Sequence, residues 1–346
     1  YCSVKDKAGN EGSNSITIKK DDGSDSSCSL SGENSSWTNK QVTISYWATN
    51  NVSSIKALSS SSVSSTVNSS NLTVNQVSDH NGNKLAIQAI AHSGSNYVEK
   101  TVSYNSWTVE LVSGAKVTCP AKTVNVYYDG VKPTCSFEGN TPNGSNGWYK
   151  STANIKATFN DGSGSGVESK GVGTTSGTYN GNESYTLSQN TSGTTLYCSV
   201  KDKAGNVGTN SITVKKDDGV GSGSCYLSGE NTTWTNVKPN TRYVATSSGS
   251  GFNCNFPGDP LNVSTCSEGM FSKPAFFGAT ANADVVKTRD FSSFSIPLNS
   301  GAKLTCPAKT ANIYYDNEKP TCSISISGTM GNNGWYKTKS TASVSG

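Results

Sequence analysis

The 346-residue chain is long enough for two or three ordinary domains, but only 32% of it is apolar and 15% charged, with Ser, Thr, Asn and 35 glycines filling the balance. That composition suits several modest cores rather than one large core. Its 28 basic and 24 acidic residues are scattered singly, which excludes the basic stripe of a nucleic-acid binder. No run approaches the roughly 18 apolar residues of a membrane span. Ten cysteines with only two histidines and no CxxC spacing point away from zinc and toward structural disulfides in an oxidising compartment.

The first ten residues, YCSVKDKAGN, recur unchanged from Tyr197, and this self-similarity sets the domain organisation. Residues 1–20 read as the C-terminal piece of one kind of module. Residues 24–129 form a second kind, opening CSLSGENSSWTN and closing SGAKVTCPAKTVNVYYD. A complete copy of the first kind fills 131–219, the second kind returns over 221–316, and 317–346 is the head of another first-kind module. The chain is therefore expected to be a window on a longer array.

Each module reads as a string of short strands. In TANIKATFND, Ala153, Ile155, Ala157 and Phe159 alternate with Asn154, Lys156 and Thr158, the period of two of a half-buried strand. In TLYCSVKD the inward set is Leu196, Cys198 and Val200. DKAGN is expected to turn tightly with Gly205, and Gly9 in the first copy, at positive φ. CPAKT is the corresponding turn of the second kind. No stretch of comparable length carries a helical period.

Every complete module places one cysteine in its first strand and one in its penultimate strand, so the expected bridges are Cys28–Cys119, Cys135–Cys198 and Cys225–Cys306. Cys254 and Cys266 would staple a local loop. Cys2 and Cys322 fall in the partial modules, their partners outside the window.

The DGSGSGV at Asp161, the VKDKAGN hairpin, the Trp before the second strand (Trp148, Trp335) and the KPT linkers resemble the tandem bacterial immunoglobulin-like domains of large cell-surface proteins and adhesins. The resemblance implies an all-β chain of disulfide-stabilised sandwiches, like beads on a string. Because the first Cys precedes the Trp, the bridge is expected to start from the first strand rather than the second.

No catalytic set emerges. His80 reads as a turn residue and His92 as a strand residue, and no nucleophile elbow, zinc-protease or phosphate-loop motif is present. Asp21, Asp22 and Asp25, with Asp217 and Asp218 in the second copy, offer oxygen ligands for calcium but read as solvated linker, so no metal and no cofactor are assigned. Nine N-x-[ST] sequons, among them Asn34, Asn71, Asn182 and Asn231, match what so Asn-, Ser- and Thr-rich a chain generates by chance. Trp37, Trp148, Trp234 and Trp335 read as core anchors, leaving Trp47 and Trp107 as candidates for an exposed platform. Between their shared ends the two second-kind copies differ almost throughout, which makes Phe276 and Phe277 candidates for a ligand loop.

The expected function is a non-enzymatic extracellular repeat region, a stalk, fibre or adhesin on a bacterial surface. The alternatives are modules that bind a host glycan or protein, and the accessory region of a secreted hydrolase. Its partners would be neighbouring modules of the same chain and like chains in a fibre, with neither nucleic acid nor membrane insertion.

Overall fold

The computed structural model describes residues 1–255, 265–275 and 285–346. These residues group into two compact units: 1–139 with 155–185 and 196–212, and 140–154 with 186–195 and 213–346. Nearly all regular structure is strand.

In the first second-kind stretch, a four-stranded antiparallel sheet runs in the order Ser26–Ser31, Val42–Asn50, Lys84–Ala91, Thr73–Ser78. Facing it are two antiparallel pairs, Val98–Tyr104 with Lys122–Asp129 and Trp107–Glu110 with Lys116–Cys119. Val42–Asn50 buries Val42, Ile44, Tyr46 and Ala48 on one face, the alternation that a sheet with one wet side demands. Tyr46 reaches across the core and donates to the Pro120 carbonyl at 2.8 Å, and Tyr243 does the same to Pro307 at 2.6 Å in the second copy. The CPAKT turn is thus held from inside by a matched tyrosine.

The middle stretch obeys the expected alternation, with Ile155, Leu196, Cys198 and Val200 fully buried. TANIKATFND is nevertheless two strands, Ala153–Lys156 and Thr158–Asn160. At Ala157 the ladder changes partner: its N–H goes to the Glu183 carbonyl, while Thr158–Asn160 pairs with Thr134–Ser136. Gly205 and Gly9 turn their hairpins at φ of 95° and 96°. Among the described residues, one α-helix, Ser60–Ser64, and a 3-10 turn, Asn332–Gly334, stand against the all-strand expectation. The Ser59 hydroxyl caps the α-helix by accepting from Ser62 N, and Val63 anchors it in the core, so a serine run suited to capping acquires one turn of helix.

Four disulfides are present, Cys28–Cys119, Cys135–Cys198, Cys225–Cys306 and Cys254–Cys266, each with Cα atoms 5.7 to 6.1 Å apart. The first three each join strands that belong to different sheets. Cys2 and Cys322 are free and exposed.

The cores differ in size. Twenty-one buried residues, Tyr46 among them, form the first cluster, whereas the middle cluster has five, Cys135, Ala157, Val172, Cys198 and Val200, two of which are the cystine itself. Closing a 63-residue loop is worth about 4 kcal/mol in the chain-entropy model, and the 12-residue loop of Cys254–Cys266 about 3. Replacing Cys135 and Cys198 together by alanine is therefore expected to lower the denaturant midpoint of the middle stretch more than replacing Cys254 and Cys266 lowers that of its neighbour. Equal losses in urea melts would contradict this ranking.

Candidate functional site

The hairpin tip DKAGN is built on its first and last residues. Asp202 Oδ1 accepts from Asn206 N and Oδ2 from Asn206 Nδ2, both at 2.8 Å. Asp6 and Asn10 close the same ring in the first copy. Asn206 then reaches outward, donating to the Asp129 carbonyl at 2.9 Å and accepting from Asn39 Nδ2 at 3.1 Å. Its hairpin neighbour Ala204 accepts from Asn39 N. The most repeated motif of the sequence thus clasps the end of the preceding second-kind stretch.

A second clasp recurs along the chain. Asp129 Oδ1 accepts from Val131 N, two residues on, at 2.9 Å, while Oδ2 accepts from Ser165 N at 2.6 Å in the GSGSG loop. Asp217 Oδ1 likewise takes Gly219 N, and Oδ2 takes both N and Oγ of Ser250, each at 2.7 Å. Asp21 takes Gly23 N with one oxygen and the hydroxyls of Ser53 and Ser113 with the other. In all three, one oxygen closes an Asx turn and the other holds a serine some 32 to 36 residues further along. The glycines of the loop permit this approach: a Cβ on Gly164 would stand 2.7 Å from Asp129 Oδ2.

These contacts correct the sequence reading of Asp217 as solvated linker, since Asp217 and Asp129 have no exposed surface. Burial opposes the Asp217 charge, but the bonds from Ser250 N and Oγ and from Gly219 N outweigh it and hold its carboxyl below the usual range. Next to it, Lys216 is buried at 1% exposure, its Nζ 2.5 Å from Asp218 and 3.1 Å from Asn190 Oδ1.

At one clasp the acidic groups accumulate. Asp129, Asp161 and Asp202 bring their carboxylates within 4.8 Å of one another in buried positions. Asp161 Oδ2 accepts from Gly166 N at 2.6 Å, whereas Oδ1 is closed to water and finds no hydrogen-bond partner. Burial, followed by the charges of Asp129 and Asp202, raises the Asp161 carboxyl above its ordinary value. Each ionised pair at this separation repels by roughly 3 kcal/mol at an effective dielectric constant of about 20. Three converging carboxylates, one with an orphaned oxygen, fit a hard divalent cation. The sequence reading placed oxygen ligands in the linkers instead, and the missing signal is spatial: the three residues lie in separate turns.

The tryptophans divide. Trp148 is buried, but Trp37 is only half-buried against Tyr127, and Trp234 is 49% exposed, edge-on to Tyr314 at 5.6 Å. Neither belongs to a core cluster, because each rests on the rim of the last strand rather than between sheets. Trp335 is exposed. Trp107, expected as part of a platform, is buried beside Tyr46, and Trp47 is half-buried, donating to Ser31 Oγ. His80 lies in a turn. His92 sits just beyond its strand, its ring 3.1 Å from Thr73 Oγ1. Two sequon asparagines are structural clamps: Asn34 and Asn231 each give both amide protons to carbonyls and accept a backbone N–H from Tyr127 or Tyr314. Phe276 and Phe277 lie outside the described residues.

No family model matches the chain, and no curated protein matches it in sequence. Solved structures do. The fibronectin(III)-like modules of Clostridium thermocellum CbhA are 15% identical, over 55% of this chain and 94% of theirs, with a TM-score of 0.22. A tetra-tandem repeat from the extending region of a large adhesion protein is 15% identical over 90% of this chain and 80% of that one, at 0.25. A bacterial ice-binding adhesin, described for its retention at the host cell surface, is 13% identical over 81% and 92%, at 0.28. The all-β, disulfide-stabilised architecture stands on the strand order and bridges of this chain itself.

The sign of the Asp217 shift gives a pH test. A depressed folded-state pKa contributes stability that is present above the unfolded value of about 3.9 and is lost as pH falls through the folded value. Asp217→Asn is therefore expected to be less stable than the parent at pH 7, with the gap closing below about pH 4. A gap that stays constant in urea melts from pH 7 to pH 2 would contradict an ionised clasp.

Proposed function

We propose that the chain is a length of extracellular, non-enzymatic stalk in a bacterial surface protein, with modules over 24–129, 131–219 and 221–316 flanked by partial ones. The observation that carries this reading is the recurrent aspartate clasp. One carboxylate fixes the turn leaving a module and grips a loop of the next, buried at Asp129 and Asp217 and partly exposed at Asp21. A linker held in this way loses the freedom of a Gly/Ser tether and transmits orientation from module to module. Disulfides between sheets suit the same task, since they hold the module closed outside the reducing cytosol. Among the described residues, no helix is long and apolar enough to cross a membrane.

The half-exposed Trp234 against Tyr314 favours glycan or protein binding as a second role for the second-kind modules, since exposed aromatics are the usual anchors of such faces.

Small-angle scattering from chains of two, three and four modules tests the stalk reading. The maximum dimension is expected to grow in proportion to module number. Growth with the cube root of mass, the sign of modules collapsing on one another, would contradict it.

A further inference from the structure

Two pieces of the chain repeat parts of a stretch that is complete in 131–219. Residues 1–21 match 197–217 at all but three positions, and 319–346 follow 132–159 without a gap, so that Cys322 falls on Cys135 and Trp335 on Trp148. Both pieces fold locally as the complete stretch does. Cys2–Lys5 pairs with Glu11–Asn14 as a hairpin. Ser323–Ser327 pairs with Thr341–Ser345, and Ser323 stands opposite Ser345 just as Ser136 stands opposite Thr158. Asn333 takes a φ of 55° where Asn146 takes 54°. Their apolar side chains, however, face solvent: Val4, Ile16 and Ile18 on one piece, Ile324, Trp335 and Val344 on the other.

The complete stretch shows what covers such faces, because there the counterparts of the two pieces lie against each other. Cys135 is bonded to Cys198. Trp148 and Tyr149 pair in parallel with Lys215 and Lys216, and Lys215 Nζ sits 5.2 Å from the centre of the Trp148 ring. Asp217 N donates to the Tyr149 carbonyl at 2.9 Å, and Asn210 Nδ2 to the Cys135 carbonyl at 3.3 Å. Four of the five residues in the core cluster have counterparts in the two pieces: Cys322 and Val344 for Cys135 and Ala157, Cys2 and Val4 for Cys198 and Val200. The fifth, Val172, lies on Val167–Gly173, an outer edge of its sheet. A second contact points the same way. Ser145 N donates to the Ser300 carbonyl at 2.8 Å and Asn146 Nδ2 to the Asn299 carbonyl at 3.2 Å, which seats the NGW loop on the SGAK tip. The counterpart tip, Val112 and Ser113, borders a crevice of about 680 Å³ beside Lys19 and Lys20.

We propose that residues 317–346 of one copy of this chain dock on residues 1–21 of a second copy and rebuild the 131–219 arrangement across two chains, with Cys322 of one copy bonded to Cys2 of the other. The occupant is a second copy because one chain carries both halves of the contact and the template for joining them. The two surfaces differ, so the contact is heterologous and adds copies head to tail. Apolar burial of Val4, Val344 and Trp335 drives the docking. One S–S bond then forms: the two thiols give up two protons and two electrons to oxidised glutathione, which leaves as two molecules of glutathione. The inference deepens the stalk reading by naming how like chains join. It rests on that reading for its role, and on the internal repeat alone for the contact.

The test uses the full 346-residue chain, with isotope-labelled and unlabelled copies mixed in a buffer of reduced and oxidised glutathione. Non-reducing electrophoresis is expected to show a ladder of multimers, and peptide mapping to find Cys322 joined to Cys2 in linked pairs of mixed label. The double variant Cys2→Ser, Cys322→Ser is expected to lose the ladder but to keep a concentration-dependent association in sedimentation, with tryptophan emission shifting to the blue as Trp335 is covered. Val4→Asp with Val344→Asp changes two exposed positions, so the single chain is expected to melt as the parent does while both the ladder and the association are lost. Cys2–Cys2 and Cys322–Cys322 links as frequent as Cys322–Cys2, links only within single chains, or a parent that sediments as a monomer at every concentration would each overturn the proposal. A Cys322–Cys2 ladder from chains that fail the scattering test supports the contact and removes only the stalk.

Discussion

Three stretches of the chain share one covalent constraint, a disulfide that ties an early strand to a later strand of a different sheet, at Cys28–Cys119, Cys135–Cys198 and Cys225–Cys306. A sandwich of this size with a Ser-, Asn- and Gly-rich sequence buries little apolar surface per residue, and net stability is a small difference between large terms. Where the core is rich, as around Tyr46, the bridge supplements it. Where the cluster packed around the bridge is only five residues, as at Cys135 and Cys198, the cystine is both cross-link and part of the core. The structure therefore tolerates polar strand faces and long Ser-rich inserts that would otherwise leave too little to hold the sheets together.

With the sheets fixed, the ends of the modules become well-defined places, and the chain uses them. The aspartate clasp needs a carboxylate at a set distance from a loop some 32 to 36 residues on, which only rigid sheets provide. The DKAGN hairpin adds a second grip at the first-kind entrance through Asn206. Sheet, bridge and clasp thus form one sequence of causes, from cysteine spacing to joint geometry.

Much of this was legible from the residues. Strict alternation in TANIKATFND and TLYCSVKD announces strands, because a period of two has no helical reading, and the glycine at DKAGN has the positive φ that its turn requires. The break at Ala157 was not legible, since changing ladder partners leaves the alternation intact. The tryptophans misled because a recurrent aromatic is compatible with either a core or a rim, and Trp107 and Trp234 fall the opposite way from expectation. The acidic site escaped because Asp129, Asp161 and Asp202 each look like an ordinary turn aspartate, and only the topology brings separate turns together. Conversely, the acidic linkers drew attention as clusters in sequence, although a single aspartate of each, Asp21 or Asp217, forms the clasp.

The central claim, that the inter-sheet disulfide is what holds each module closed, is tested most directly by stretching single chains with and without a reducing agent. In the oxidised chain the 63-residue span between Cys135 and Cys198 should stay withheld. Reduction should then release about 220 Å of extra contour length from that module, at roughly 3.5 Å per residue, and at lower force. Identical unfolding lengths and forces before and after reduction would show that the cores alone carry the load and would contradict the account.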